Sequence, residues 1–171
     1  VWPESGQTAG YQDLLARLAK ARDEMDRLSW EVSLAEAQLL YEKDRYAAVG
    51  EALQATLTLN PKTAEAWALL GMASVDGFDF AKAEAVALRL DLLAGAPGSV
   101  DAAIIRAAVR LRQSEGEEAE TILRPWVDRW PEHRRLLAWW AAAAAGRFDF
   151  EEADRRLARL DVLSPRQPMG H

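Results

Sequence analysis

"GFDFAKAEAVALRLDLL" occupies residues 77 to 93, and "RFDFEEADRRLARLDVL" occupies residues 147 to 163. With Phe78 to Gly95 set against Phe148 to Pro165, 8 of 18 positions are identical: Phe, Asp, Phe, Ala, Arg, Leu, Asp and Leu. A recurrence after 70 residues points to a unit of about 35, a period typical of helical repeat arrays. Four small apolar positions test it: Val49, Ala83, Ala119 and Ala153 stand 34, 36 and 34 residues apart. Each is followed four residues on by Leu53, Ala87, Leu123 or Leu157, and residues four apart share one face of a helix. Pro61, Gly95, Pro131 and Pro165 close the units at the same spacings, as helix breakers should.

Upstream of three of these small residues runs a second helical stretch: "AEAWALLGMASVD", "DAAIIRAAVRLRQ" and "RRLLAWWAAAAAG". The unit is therefore helix, turn, helix. Asp79 and Asp149 stand where a carboxylate accepts the orphan N–H bonds of the second helix. Phe80 and Phe150, just inside, are expected to wedge between the paired helices. Pro125 removes one helical hydrogen bond from the second helix of the third unit and is expected to bend it without ending it.

The composition agrees. The 171 residues suffice for one independent core, half of them are hydrophobic and 28% charged, and few are β-branched, which favours helix. A net charge of -6 argues against nucleic acid, whose binding needs a basic field. The acidity is local: residues 1–99 carry 9 Lys and Arg against 15 Asp and Glu, while residues 100–171 balance 12 Arg with 12 acids. The absence of cysteine excludes disulfides and thiolate sites without choosing between cytoplasm and periplasm. No apolar run reaches membrane-spanning length. The chain opens on "VWPESG" without methionine, suggesting an excised fragment that is tethered to a membrane by residues outside it in one reading.

Trp67, Leu70 and Gly71 reproduce the start of the Trp-x2-Leu-Gly-x2-Tyr pattern of the tetratricopeptide (TPR) repeat, and the chain resembles that superfamily. Ser74, Ala87 and Gly95 depart from the family's Tyr, Phe and Pro; the first unit keeps Tyr46, Leu53 and a closing "LNP". The resemblance implies an all-α fold of antiparallel helix-turn-helix repeats stacked as a right-handed solenoid with a concave groove. The expected organisation is a flexible segment 1–10, a helical extension 11–30, four repeats at 31–63, 64–97, 98–133 and 134–165, and a tail 166–171. Family alignment places Leu34, Gln38, Tyr41, Met72, Val75, Ile104, Leu111 and Arg112 on the inner, partner-binding side, with Ala108, Ala138 and Ala142 completing a largely apolar trough. The Lys and Asn of the family's carboxylate clamp are missing there.

From Leu14 a seam of Leu18, Ala21, Met25, Leu28, Val32, Ala35 and Leu39 advances by alternating steps of 4 and 3, the heptad rhythm of a coiled coil. With no Gly or Pro in residues 11–46, one long helix continuous into the first repeat is expected. It either caps the solenoid or self-associates through residues 14–39. The competing signal is a capping box at Ser33 and Glu36, which favours a fresh helix after Ser29.

Nothing in the sequence assembles catalysis. The two histidines, His133 and His171, lie in a turn and at the terminus, and there is no phosphate-binding loop or HExxH. Glu117-Glu118 and Glu151-Glu152 suit helix starts. No metal site or cofactor is indicated. Seven tryptophans include Trp126, Trp130, Trp139 and Trp140 around Pro131, where they are expected mainly to pack the third unit on the fourth. Arg106, Arg110, Arg112, Arg134 and Arg135 offer either a surface for an acidic partner or a face neutralised by Asp101, Asp128 and Glu132. Arg155, Arg156 and Arg159 are expected to give the last helix a polar outer face. The resulting expectation is a non-enzymatic scaffold binding a protein or peptide segment. The alternatives are the TPR part of a membrane-anchored bacterial envelope assembly factor, for secretion or polysaccharide export, and a coiled-coil oligomeric adaptor.

Overall fold

The computed structural model describes residues 5–24 and 29–163, and every regular element among them is an α-helix. The chain divides into two compact units, Val1–Gly77 and Phe78–His171.

The first unit contains α1 (Ser5–Glu24), α2 (Trp30–Glu42), α3 (Tyr46–Leu59) and α4 (Ala64–Asp76). Helices α2 and α3 form an antiparallel hairpin, with α4 against both and α1 against α2. Its core draws on Leu34, Ala37 and Leu40 of α2 and on Val49 and Leu53 of α3. Each fully buried Leu or Val contributes about 1.5–3 kcal/mol. Thr56, also buried, satisfies its hydroxyl by donating to the Trp30 carbonyl at 3.1 Å, fastening the end of α3 to the start of α2.

The expectation of one continuous leading helix is overturned. Ser29 is extended (φ -77, ψ 100) and is the N-cap residue of α2, so α1 and α2 are separate helices. The alternating 4,3 seam cannot distinguish one helix from two, because each alone satisfies it. The competing reading, a fresh helix after Ser29, matches the structure, although Ser33 itself lies inside α2, three residues past its start. Met25 and Leu28 of the seam lie outside the described residues. The contact of α1 with α2 places the leading helix on its own unit.

The second unit contains α5 (Phe80–Ala94), α6 (Val100–Arg112), α7 (Gly116–Arg129), α8 (Arg134–Gly146) and α9 (Phe150–Leu163). Each helix packs on the next, and α6 also lies beside α8. The expected columns are in place except at Leu157, which is exposed: Ala83, Ala87, Ala119 and Leu123 have no exposed surface, and Ala153 is buried. Gly116 meets the end of α8 so closely that a methyl there would sit 2.7 Å from the Gly146 carbonyl carbon. Helix α7 runs through Pro125, and Pro165 lies outside the described residues.

Each turn joining a first helix to a second is three residues long, with Asp44, Phe78, Ser114 and Phe148 at its centre in the left-handed region (φ 57, 60, 64 and 64). These positions repeat the spacing of 34, 36 and 34. In the turn after α8, Phe148 N–H donates to Ala145 O at 2.9 Å and Asp149 N–H to Ala144 O at 3.1 Å, a left-handed closure of the helix end. Asp79 and Asp149 then cap α5 and α9, accepting from Lys82 N and Glu152 N, each at 3.1 Å.

The phenylalanines depart from expectation. Phe78, Phe148 and Phe150 are 67%, 81% and 62% exposed, so Phe150 is not wedged between helices. Instead each pair packs edge to face, with centroids 6.0 Å apart for Phe78–Phe80 and 6.4 Å for Phe148–Phe150.

Candidate functional site

Helical repeats expose two kinds of surface: the sides of the first helices and the ends of the stack. In the first unit the first helices α2 and α4 lie side by side. Gln38 donates to Glu65 at 2.8 Å and Tyr41 to Asp76 at 2.6 Å, so two side-chain hydrogen bonds bridge the pair. Tyr41 also packs its ring on Tyr46, with centroids 5.6 Å apart. In the second unit α6 and α8 lie side by side, bridged by Arg135–Asp101 at 2.7 Å.

The sequence-derived residues separate by burial. Leu34, Met72, Val75 and Ile104 are buried, as is Ala108, so they form packing and not an open apolar trough. The physical reason is that α4 has no charged residue between Glu65 and Asp76 and buries eight residues, as a helix covered on most sides does, while α6 buries seven and leaves Asp101 and its arginines at the accessible edge. Gln38 and Arg112 are exposed, Tyr41 and Leu111 half-buried, Ala138 exposed and Ala142 half-buried. What remains accessible on this side is therefore polar and small-residue surface. Leu111 is held by packing near Gly146, where its Cδ2 occupies the space a side chain would fill. Arg112 lies over the Phe78 ring at 6.0 Å.

The arginine cluster is compensated locally. Arg106 pairs with Asp91 at 2.7 Å and Glu84 at 3.5 Å, and Arg110 with Glu115 at 3.1 Å and Glu84 at 3.8 Å. Of the acids expected to neutralise it, Asp101 does so through Arg135; Glu84 and Asp91, on α5, were not foreseen.

A second cluster escaped the sequence reading. Glu120 of α7 and Arg156 of α9 are both buried and meet at 2.9 Å. Arg156 also donates to Glu152 and to the Trp140 carbonyl, each at 2.8 Å, and its guanidinium lies 3.7 Å over the Trp140 ring. Arg124 donates to Glu120 at 3.0 Å, while Arg147 Nε stands 2.9 Å from the other Glu120 oxygen as a charge contact without hydrogen-bond alignment. Burial pushes the Glu120 carboxyl up, but hydrogen bonds from Arg156 and Arg124 and the charges of Arg156 and Arg147 outweigh it, leaving the group below its ordinary value. Glu152 is lowered as well, first by its hydrogen bond from Arg156 and then by that from Arg155. With every acid matched by arginine, the cluster is a fastening between helices. The signal was Arg156 standing in the column of buried Val86, where a charge must be paired.

Of the tryptophans, Trp126, Trp139 and Trp140 are half-buried and Trp130 is 48% exposed. No group of three or more potential metal-ligating side chains occurs among the described residues, and no described helix is long and apolar enough to cross a membrane.

No protein-family model matches the chain, and neither does any curated protein sequence. Solved structures do. A tetratricopeptide repeat protein from Parabacteroides merdae ATCC 43184 superposes with a TM-score of 0.73 at 17% identity, covering 92% of this chain. The fold is TPR-like. This chain spans 64% of the length of the Parabacteroides protein. A MamA structure matches with a TM-score of 0.62 and 18% identity over 96% of this chain and 97% of its own. YrrB, described as a TPR protein with an unusual peptide-binding site, matches with a TM-score of 0.55 and 16% identity over 94% of this chain and 81% of its own. The TPR-like helices carry the repeat spacing read from Phe-Asp-Phe.

Proposed function

We propose that this chain is a non-enzymatic scaffold that holds an extended segment of another protein along its first helices. The observation that carries the reading is the pairing of first helices, α2 beside α4 in one unit and α6 beside α8 in the other. This leaves Gln38 and Tyr41 in the first unit, and Arg112 in the second, as accessible or half-accessible polar groups on the first helices, where the TPR resemblance puts a ligand. The side-chain bridges Gln38–Glu65 and Tyr41–Asp76 are exchangeable for hydrogen bonds to a peptide backbone at little net cost, since one protein–protein bond replaces another. The apolar residues once assigned there hold the helices in place. YrrB, with the same fold, makes peptide binding a natural use of such a surface.

The test is site-specific photo-crosslinking in cells expressing the full-length protein. A crosslinking amino acid at Gln38 or Tyr41 should trap the same partner, whereas Glu51 and Arg124 on second helices should not. Equal trapping from Glu51 and Arg124 would overturn the assignment.

A further inference from the structure

The opening resemblance between residues 78–95 and 148–165 extends to what the two helices present. Helix α6 packs on α5, in which Ala87 and Leu90 are buried. Two carboxylates flank these residues. Asp91 accepts from Ser99 N–H at 2.8 Å and pairs with Arg106 at 2.7 Å, and Glu84 meets Arg106 at 3.5 Å and Arg110 at 3.8 Å. The same set recurs 70 residues later on α9: Leu157 and Leu160 for the apolar pair, Asp154 and Asp161 for the flanks.

On α9 the same positions are more open, with Leu160 half-buried. Leu157 is 46% exposed, whereas its counterparts Leu53, Ala87 and Leu123 have no exposed surface. Asp154 and Asp161 are exposed, and no described cation pairs with either. The arginines expected to make this face polar are engaged elsewhere. Arg156 is buried on Glu120, Arg155 pairs with Glu152 at 2.8 Å, and Arg159 donates to the Pro131 carbonyl at 2.8 Å. The exposed face of α9 thus repeats the residue pattern of α5.

We propose that the outer face of α9 is a second binding site, which receives a helix of a partner protein built like α6: small apolar residues on one side, with arginines four positions apart to meet Asp161 and Asp154. The internal α5–α6 contact supplies both the shape and the charge complementarity. This site is independent of the one on the first helices.

The test uses the full chain and a fluorescein-labelled peptide of residues 99–113, followed by anisotropy. Saturable binding is expected, weakened about tenfold or more by Leu157→Glu, as for an anchor at an interface centre. Asp161→Arg should weaken it too, and a peptide carrying Arg106→Glu should bind Asp161→Arg better than it binds the original protein. That charge swap reads out even if Leu157→Glu harms folding, because Asp161 is exposed. No binding, equal binding of a scrambled peptide, or indifference to both substitutions would overturn the proposal. Self-association of the unliganded protein abolished by Leu157→Glu would also overturn it, assigning the face to a second copy.

Discussion

Helix α3 in the first unit and helices α7 and α9 in the second do the same job with different chemistry. The inner column of α3 is Val49, Leu53 and Thr56, all fully buried and all neutral, with the one hydroxyl satisfied by a backbone carbonyl. Between α7 and α9 the buried pair is Glu120 and Arg156, two charges that are kept only because each satisfies the other. The repeat spacing tolerates both solutions, since what it demands is filled volume. The neutral solution is insensitive to acid and degrades gradually under mutation. The ionic one is all-or-none, because removing one partner strands a charge in a low-dielectric place.

The largest effect should come from stranding that charge. Glu120→Ala is expected to cost about 3–5 kcal/mol in urea-induced unfolding, and a loss below about 1 kcal/mol would break the contrast between the units. Next comes packing: Gly116→Ala drives a methyl into the Gly146 backbone, and overpacking of this kind costs about 1–3 kcal/mol, visible as a lower Tm.

Acid should separate the units in a graded way. The Glu120 and Glu152 carboxyls titrate below their ordinary value of 4.5 when folded. Their contribution is therefore complete above about pH 4.5 and is lost as pH falls through the folded values. Hydrogen exchange should show α7–α9 losing protection before α2–α3 as pH is lowered; simultaneous loss would contradict the assignment. Relief of backbone strain comes next. Phe148→Asn, which suits a left-handed turn, should raise stability by up to about 1 kcal/mol. A lowered Tm would show that the Phe148–Phe150 contact outweighs the strain. The smallest effect sharpens the comparison most. Glu120→Leu combined with Arg156→Met should be close to neutral, as is common when a buried pair is replaced together by apolar residues.

The helices and their turns were legible because their information is periodic. Val49, Ala83, Ala119 and Ala153 carry the repeat, and Asp79 and Asp149 carry the helix starts, in local sequence. The candidate site was not legible in the same way. Met72, Val75 and Ile104 were placed by alignment with a family whose first helices expose one side, whereas the uncharged middle of α4 already argued for burial of the first two, and Ile104 stands among the apolar residues of an amphipathic α6. The Glu120–Arg156 contact joins residues 36 apart; the clue lay only in setting Arg156 against Val86. The break at Ser29 was signalled but outweighed by the seam, because a heptad count is blind to a break that keeps phase.

The four left-handed turns have a consequence for how the chain tolerates change in length. Every turn inside a repeat is three residues, whereas the connections between repeats are four, five and four residues, and α5 is one residue longer than α3, α7 or α9. The single departure from the 34-residue step is thus absorbed between Phe80 and Ser99, on the far side of the repeat from the turn. A residue with positive φ makes its turn a fixed-length part, and the opposite connection becomes the adjustable one. An epitope or fluorescent label inserted between Gly95 and Ser99 should leave the helices folded, while even one residue added beside Ser114 should not.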